Sequence, residues 1–193
     1  MRLFIVTTGW LLLLQKGEGS TMGPWKGLLN KVTTCSDENQ DLPPPLLLKV
    51  EKNGKFGRTV TKGSFDSLVL GISNEAEIIV RVHEFKNGRW DLVGTRNMGG
   101  TCNTLHAFIP EMWRLLVDHT TAETYTEGGA TCVKPASKGE MTVPFDLPPI
   151  TVDSVPSFIY GIYKIELVLL HPNQTLYGCS AFYADVVAKQ TAG

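Results

Sequence analysis

Apolar and polar residues alternate over much of the chain, which is the pattern of β-strands with one buried face. Across residues 77–86, Ile78, Val80 and Val82 fall on one face, and the other face is mixed. Asn87-Gly88 follows directly and is a strong signal for a two-residue hairpin turn. The predicted strands are 46–52, 64–73, 77–86, 89–94, 162–170 and 176–187, and the last two form a second antiparallel hairpin.

One segment departs from this alternation and has helical spacing. Pro110 interrupts it, so one or two short helical turns are expected after Asn103, the predicted N-cap. Its apolar residues are Leu105, Phe108, Ile109, Met112, Trp113, Leu115 and Leu116. The predicted fold is therefore mainly β: a sandwich of two antiparallel sheets with one short helical insertion.

The first 19 residues have the layout of a cleaved secretory signal. Arg2 gives a positive start, 3–14 is mostly apolar, and small residues Gly17 and Gly19 follow. The stretch is too short to span a bilayer comfortably, and the alternative is a buried N-terminal strand or helix. We expect a signal peptide at 1–19 and a single domain at 20–193.

Composition and charge exclude several classes of function. The chain has 193 residues, 42% of them hydrophobic and 19% charged, with a formal net charge of −1. This near-neutrality argues against a nucleic-acid partner, because such proteins need a clustered basic surface. Motifs for a catalytic nucleophile, a metal, a phosphate or a dinucleotide are missing from the sequence, so we expect no enzyme activity and no cofactor. The histidines are isolated in the sequence; they are His83, His106, His119 and His171.

Cysteines and a sequon suit a secreted chain. The four cysteines are read as two disulfides, and the sequence leaves all three pairings open. They are Cys35, Cys102, Cys132 and Cys179. Asn173-Gln174-Thr175 is an N-glycosylation sequon in a predicted turn, so Asn173 is the expected glycan site.

Several motifs in the second half of the chain resemble one protein family. Residues 155–166 read Val-Pro-Ser-Phe-Ile-Tyr-Gly-Ile-Tyr-Lys-Ile-Glu, and Leu-Tyr-Gly-Cys follows at 176–179. Together they resemble the ganglioside-activator, or ML-type lipid-recognition, family. Weaker similarities at 80–90, 102–105, 132–141 and around Cys35 keep the same order over about 35–187. With four cysteines where vertebrate members have eight, the chain is more similar to arthropod relatives, some of them implicated in chemosensation.

The resemblance implies a β-cup, in which two antiparallel sheets splay at one end around an apolar cavity. It also implies that Cys35 pairs with Cys179 and that Cys102 pairs with Cys132. The expected ligand is a lipid or another apolar small molecule. Such a carrier makes transient contact with membrane surfaces and has a protein receptor or a hydrolase as a possible partner.

Two groups of apolar residues are the candidate lipid-binding site. Phe158, Ile159 and Tyr160 lie between Pro156-Ser157 and Gly161 and are expected at the mouth of the cup, unless they only begin the last hairpin and fill the core. The second group either lines the cavity or forms an ordinary amphipathic helix packed on a sheet. It comprises Phe108, Met112, Trp113 and Leu116.

Three functions follow from these observations. The first is a secreted, non-enzymatic lipid-binding or lipid-transfer protein, extracellular or lysosomal. The second is a β-sandwich that binds a protein partner and has no cavity. The third, a hydrolase, requires a Ser or Cys beside a His in a pocket.

Overall fold

A computed structural model describes residues 21–35, 42–53, 57–68, 70, 72–152 and 154–189. The expected signal peptide at 1–19 lies outside these residues. The strands are β1 (Met22–Gly23), β2 (Trp25–Thr34), β3 (Leu46–Glu51), β4 (Thr59–Asp66), β5 (Glu77–Lys86), β6 (Arg89–Gly100), β7 (Thr124–Glu127), β8 (Ala130–Val133), β9 (Lys138–Glu140), β10 (Phe145–Asp146), β11 (Phe158–Ile159), β12 (Gly161–Leu170) and β13 (Leu176–Ala188). The helices are α1 (Thr101–Phe108) and α2 (Pro110–Asp118), between β6 and β7.

Most strands belong to one nine-stranded antiparallel sheet. Its order is β10-β4-β3-β2-β13-β12-β5-β6, and β9 pairs with β4. Two small antiparallel sheets, β1-β11 and β7-β8, accompany it. The prediction of a mainly β, antiparallel domain with a short helical insertion is therefore confirmed.

The two predicted hairpins are neighbours in the large sheet: β12 and β13 lie in its interior, and β5 and β6 form one edge. Asn87 and Gly88 both have positive φ, 52° and 80°, as the tight turn between β5 and β6 requires. In the other hairpin, β12 pairs with β13 from Gly161 opposite Val186 onward. β5 and β2 add on either side of this pair, so residues distant in sequence share one face.

One predicted strand is misplaced, and one long strand was not predicted. The strand predicted at 64–73 is β4, which ends at Asp66. The Ser67 hydroxyl donates to the carbonyl oxygens of Lys134 and Ser137, and Leu68 has a φ of 56°, so the chain turns there. β2 was not predicted because its apolar residues do not alternate strictly. The alternation is broken where the pairing of β2 with β13 shifts register, beside Tyr183 and Ala184 of β13.

The helical insertion has the predicted break but a different start. Pro110 opens α2, where its missing N–H costs nothing, and Ile109 separates the two helices. α1 begins at Thr101, so Asn103 lies inside the helix and the N-cap prediction is wrong. The backbone N–H of Asn103 instead donates to Asn74 Oδ1, 2.9 Å away, so a distant side chain satisfies this N-terminal donor.

The two faces of the large sheet differ. Its inner face, the side that packs on α1 and α2, contributes to the main apolar core with Val32, Phe65 and Phe182. The opposite, outer face has the long disulfide, Cys35–Cys179, which joins β13 to the end of β2. The short disulfide, Cys102–Cys132, joins α1 to β8. Both pairings implied by the family resemblance are present.

Candidate functional site

The candidate site is an apolar space between the helices and the inner face of the sheet. Its volume is about 30 Å³. The helical segment contributes Leu105, Ile109, Trp113 and Leu116, and the sheet contributes apolar side chains from β3, β4, β5, β12 and β13. These strands are far apart in sequence, and the sheet order brings them to one face.

The polar side chains in this lining are satisfied by the protein itself. The Thr101 hydroxyl donates to the carbonyl oxygen of Ala76 at 2.8 Å. The Ser180 hydroxyl donates to the carbonyl oxygen of Leu46 and accepts from its N–H. Since neither hydroxyl needs a water partner, the space suits an apolar group better than a polar one.

Specific contacts hold the helices over the sheet. Trp113 Nε1 donates to the carbonyl oxygen of Thr131 at 2.8 Å. Its ring meets Phe65 edge-on, with 6.1 Å between the ring centroids. The short disulfide fixes α1 to β8. The Trp113 hydrogen bond and the short disulfide therefore attach the helices to β8. The helices contact the large sheet through apolar packing.

The structure separates the helical candidates. Trp113 and Leu116 are buried and line the space. Met112 is buried in the same core without bordering the space, and Phe108 is exposed at the end of α1. The sequence pattern placed all four on one helix, yet the break at Ile109 turns Phe108 away from the core.

The second candidate group lies elsewhere. Ile159 is buried in β11, which pairs with β1. Phe158 is partly buried, with ring centroids 5.3 Å from Trp25 and 5.1 Å from Tyr163. The Tyr160 hydroxyl donates to the carbonyl oxygen of Pro24 at 3.1 Å. None of the three borders the space under the helices.

An unpredicted charged cluster lies on the outer face. The buried Glu166 carboxylate is 2.6 Å from Lys164 Nζ and 3.2 Å from His83 Nε2. Arg81 approaches the same carboxylate at 4.0 Å. The Lys-Ile-Glu at the end of the family-like segment supplies two members of this cluster, and β12 pairs with β5 so that His83 lies opposite Lys164.

Burial perturbs two tyrosines of the sheet. It raises the pKa of Tyr163, and the nearby Glu84 carboxylate adds to the effect. It also raises the pKa of Tyr177 to about 12. Neither phenol lines the space beneath the helices.

The predicted glycan site is in a turn, as expected. The Asn173 side-chain oxygen accepts from the N–H and the hydroxyl of Thr175, at 3.1 and 2.7 Å. Asn173 is exposed between β12 and β13. This geometry leaves the side chain on the surface and is compatible with modification.

Among the described residues, no three His, Cys, Asp or Glu side chains are grouped to hold a metal ion. Within the same part of the chain, no helix is long and apolar enough to cross a membrane. In comparisons with known proteins, no family model and no curated protein matches the chain.

Proposed function

We propose that the protein is a secreted, non-enzymatic carrier that binds the hydrocarbon part of a lipid between its helices and the inner face of its sheet. The observation that supports this most directly is the apolar space whose two hydroxyl groups are already hydrogen-bonded within the protein. A lining with no unsatisfied polar group selects for hydrocarbon, because a polar ligand would lose hydrogen bonds to water and regain none.

The size of the space requires movement. Its 30 Å³ accommodates a group the size of one or two water molecules. Pockets for drug-sized ligands measure roughly 300–1,000 Å³. A lipid chain therefore enters only if α1 and α2 move away from the sheet, which would convert the packed domain into a β-cup. The break at Ile109 and the apolar contacts of α2 with the sheet make this helix the natural moving part.

Energetics allow such a carrier to work without covalent chemistry. Exposing an acyl chain of about 16 carbons to water costs on the order of 12 kcal/mol, at roughly 0.8 kcal/mol per methylene. Moving the chain from a bilayer into an apolar site costs far less, because both environments are dry. The protein needs only to open against a membrane and close again.

Other features support secretion of the protein. Two disulfides in the described chain indicate an oxidising, extracellular environment. The ganglioside-activator resemblance, the signal-like residues 1–19 and the sequon at Asn173 agree with secretion. Delivery to a lysosome would require a receptor-recognised glycan on Asn173.

Phe158, Ile159 and Tyr160 are proposed as a second contact with the membrane during transfer. In the described structure their contacts with Trp25 and Pro24 close this segment, so it acts only after those contacts open. Phe158→Asp is expected to slow lipid extraction from vesicles more than it lowers the free energy of unfolding. Parallel loss of both would show that Phe158 is ordinary core.

The deciding experiment uses protein secreted from cells. Organic extracts of the purified protein are analysed by mass spectrometry, and a fluorescent fatty-acyl probe is titrated and then displaced by unlabelled fatty acid. We expect a co-purifying lipid and saturable, displaceable binding. Absence of both would end the carrier proposal.

A protein-interaction module is the second candidate function. The observation that favours it is the close packing under the helices, which leaves only about 30 Å³. Under this alternative the core never opens, and hydrogen exchange of the α1 and α2 amides is the same with and without fatty acid. Faster exchange of these amides on lipid addition favours the carrier.

A further inference from the structure

Three lysines lie directly opposite one another on neighbouring strands of the large sheet. Lys31 of β2 is opposite Lys49 of β3, and Lys49 is opposite Lys62 of β4. All three are exposed, and together they are called the lysine row. The next pair along β2 and β3, Val32 and Leu48, belongs to the main core on the inner face, so the lysine row lies on the outer face.

This arrangement is unfavourable for the folded protein on its own. Side chains directly opposite each other in antiparallel strands have Cβ atoms about 4.5–5.5 Å apart, and like charges at these positions lower stability. Because neighbouring strands are about 4.8 Å apart, the row extends over roughly 10 Å, close to the Debye length at physiological salt. Its charges therefore act together on a ligand, and the ligand that relieves their repulsion is an anion.

Two charges of the lysine row are not neutralised. Lys49 Nζ is 3.2 Å from Glu51 Oε1, so this pair has no net charge. Lys31 Nζ lies over the Tyr183 ring, 4.3 Å from its centroid, and the ring attracts the ammonium group without neutralising it. Among the residues that the structure describes, neither Lys31 nor Lys62 forms an ion pair. Three lysines and one carboxylate leave a local net charge of +2.

The carboxylates farther along the outer face have other partners. Asp185 lies two residues beyond Tyr183 on the same face of β13, and it pairs with Arg58 at 3.2 Å. Glu166 pairs with Lys164 at 2.6 Å. The positive surface is therefore a local feature of β2, β3 and β4, although the whole chain has a formal net charge of −1.

The surface beside the lysine row is mostly polar. Thr33 lies two residues beyond Lys31 on β2, and Ser64 lies two residues beyond Lys62 on β4, so both hydroxyls are on the row's side of the sheet. Leu47 is opposite Ser64 and is only 36% exposed. Lysines beside hydroxyls suit a hydroxyl-rich polyanion, whereas docking on a bilayer needs larger apolar side chains to insert.

We propose that the lysine row binds a sulfated polysaccharide that lies across β2, β3 and β4. The sulfate groups of such a chain are ionised and repeat along it, so several of them can meet a row of lysines at once. The two disulfides indicate an extracellular environment, which is where such polysaccharides occur. This interaction goes beyond the proposed carrier function, because it uses the outer face and does not require the space beneath the helices to open.

Titration with a sulfated polysaccharide tests the proposal. Full-length secreted protein is titrated with fluorescent heparin and, for comparison, with hyaluronan, which has carboxylates but no sulfates. Heparin should bind more tightly, and salt should weaken its binding. If each lysine of the row releases about one counterion, the logarithm of the heparin Kd should rise with the logarithm of the salt concentration with a slope of about 2.

Single substitutions test the row itself. Lys62→Gln should weaken heparin binding by roughly fivefold and lower the salt slope by about 1. It should leave the melting temperature unchanged or higher, because it removes a like charge opposite Lys49. Glu51→Gln should strengthen heparin binding by roughly fivefold, since Lys49 then loses its carboxylate partner. Lys134→Gln is the matched control, because it removes a lysine that pairs with Glu123 beyond β8, and it should change the heparin Kd by less than about twofold.

Four outcomes would overturn the proposal. Three of them are no binding to heparin, equal affinity for hyaluronan, and equal losses in Lys62→Gln and Lys134→Gln, which would show an effect of net charge alone. The fourth is binding to phosphatidylserine vesicles without binding to heparin, because the row would then contact a membrane. The fluorescent fatty-acyl probe is titrated on the same preparations. Weaker heparin binding by Lys62→Gln with unchanged probe affinity supports a site separate from the space beneath the helices.

Discussion

Leu116→Ala tests whether the space under α2 binds lipid. Leu116 is 1% exposed and lines this space, so the substitution enlarges it without adding a polar group. Leu147→Ala is the matched control, because Leu147 is 2% exposed in the same core but does not border the space. Both variants remove the same atoms from comparable surroundings.

The expected stability losses are similar. Truncating a buried leucine to alanine costs about 2–5 kcal/mol, and the cost rises with the volume of the cavity left behind. Leu116 already borders an empty space and has fewer neighbours to lose, so we expect about 2–3 kcal/mol for it and about 3–4 kcal/mol for Leu147. For a chain of this length, each kcal/mol lowers the melting temperature by about 2–4 °C.

The effects on ligand affinity should differ. In Leu116→Ala, two or three methylenes of a bound acyl chain can occupy the enlarged space without movement of α2. Burying these methylenes contributes about 2 kcal/mol to binding. The dissociation constant of a fluorescent fatty-acyl probe should therefore fall by roughly tenfold to thirtyfold. Leu147→Ala should leave it within about twofold of the wild-type value, since its cavity is not part of the site.

Urea unfolding and probe titration on the same preparations give both quantities. If the two variants lose similar stability and neither changes probe affinity, the space beneath α2 is ordinary core. If Leu147→Ala also increases affinity, the probe binds any cavity in this core, and the reasoning about the site is wrong.

Three further predictions concern stability. Glu166→Ala should lower the free energy of unfolding by about 3–5 kcal/mol, because Lys164 stays buried without its carboxylate partner; a loss below about 1 kcal/mol in urea unfolding would contradict this. Alanine replacement of the long and short disulfides should cost up to about 5 and 3.5 kcal/mol from loop-closure entropy, and the reverse order would argue against that account. The pKa values of Tyr125 and Tyr177 are both raised to about 12 from the ordinary tyrosine value of 10.0, so stability should be fully present below pH 10 and decline between about pH 10 and 12, while only the unfolded chain ionises. Phenolate absorbance and urea midpoints across that range should move together.

Local patterns predicted the strands that are simple in sequence. The β5–β6 hairpin begins and turns as predicted, because Ile78 and Val82 alternate with mixed residues and Asn87-Gly88 adopts the required positive φ. The hairpin of β12 and β13 was predicted to within about one residue. β2 was not predicted, because the alternation of its apolar residues is interrupted where its pairing with β13 shifts register.

The candidate site was predicted only in part. Helical spacing identified Trp113 and Leu116, which line the space. It also included Phe108, which is exposed at the end of α1. The sheet-side lining, for example Ile78 and Phe182, looked like any buried strand residue, since a strand pattern shows that one face is buried but not what it faces.

The sequence by itself determined the mainly β character, the two long hairpins and the break at Pro110, because each depends on a few neighbouring residues and their backbone preferences. Only the tertiary structure decided which strands are neighbours, that α2 covers the inner face, and that Lys31, Lys49 and Lys62 meet on the outer face. The reason is physical: pairing and packing energies depend on contacts between distant segments, and a local pattern specifies that a face is apolar without specifying its partner.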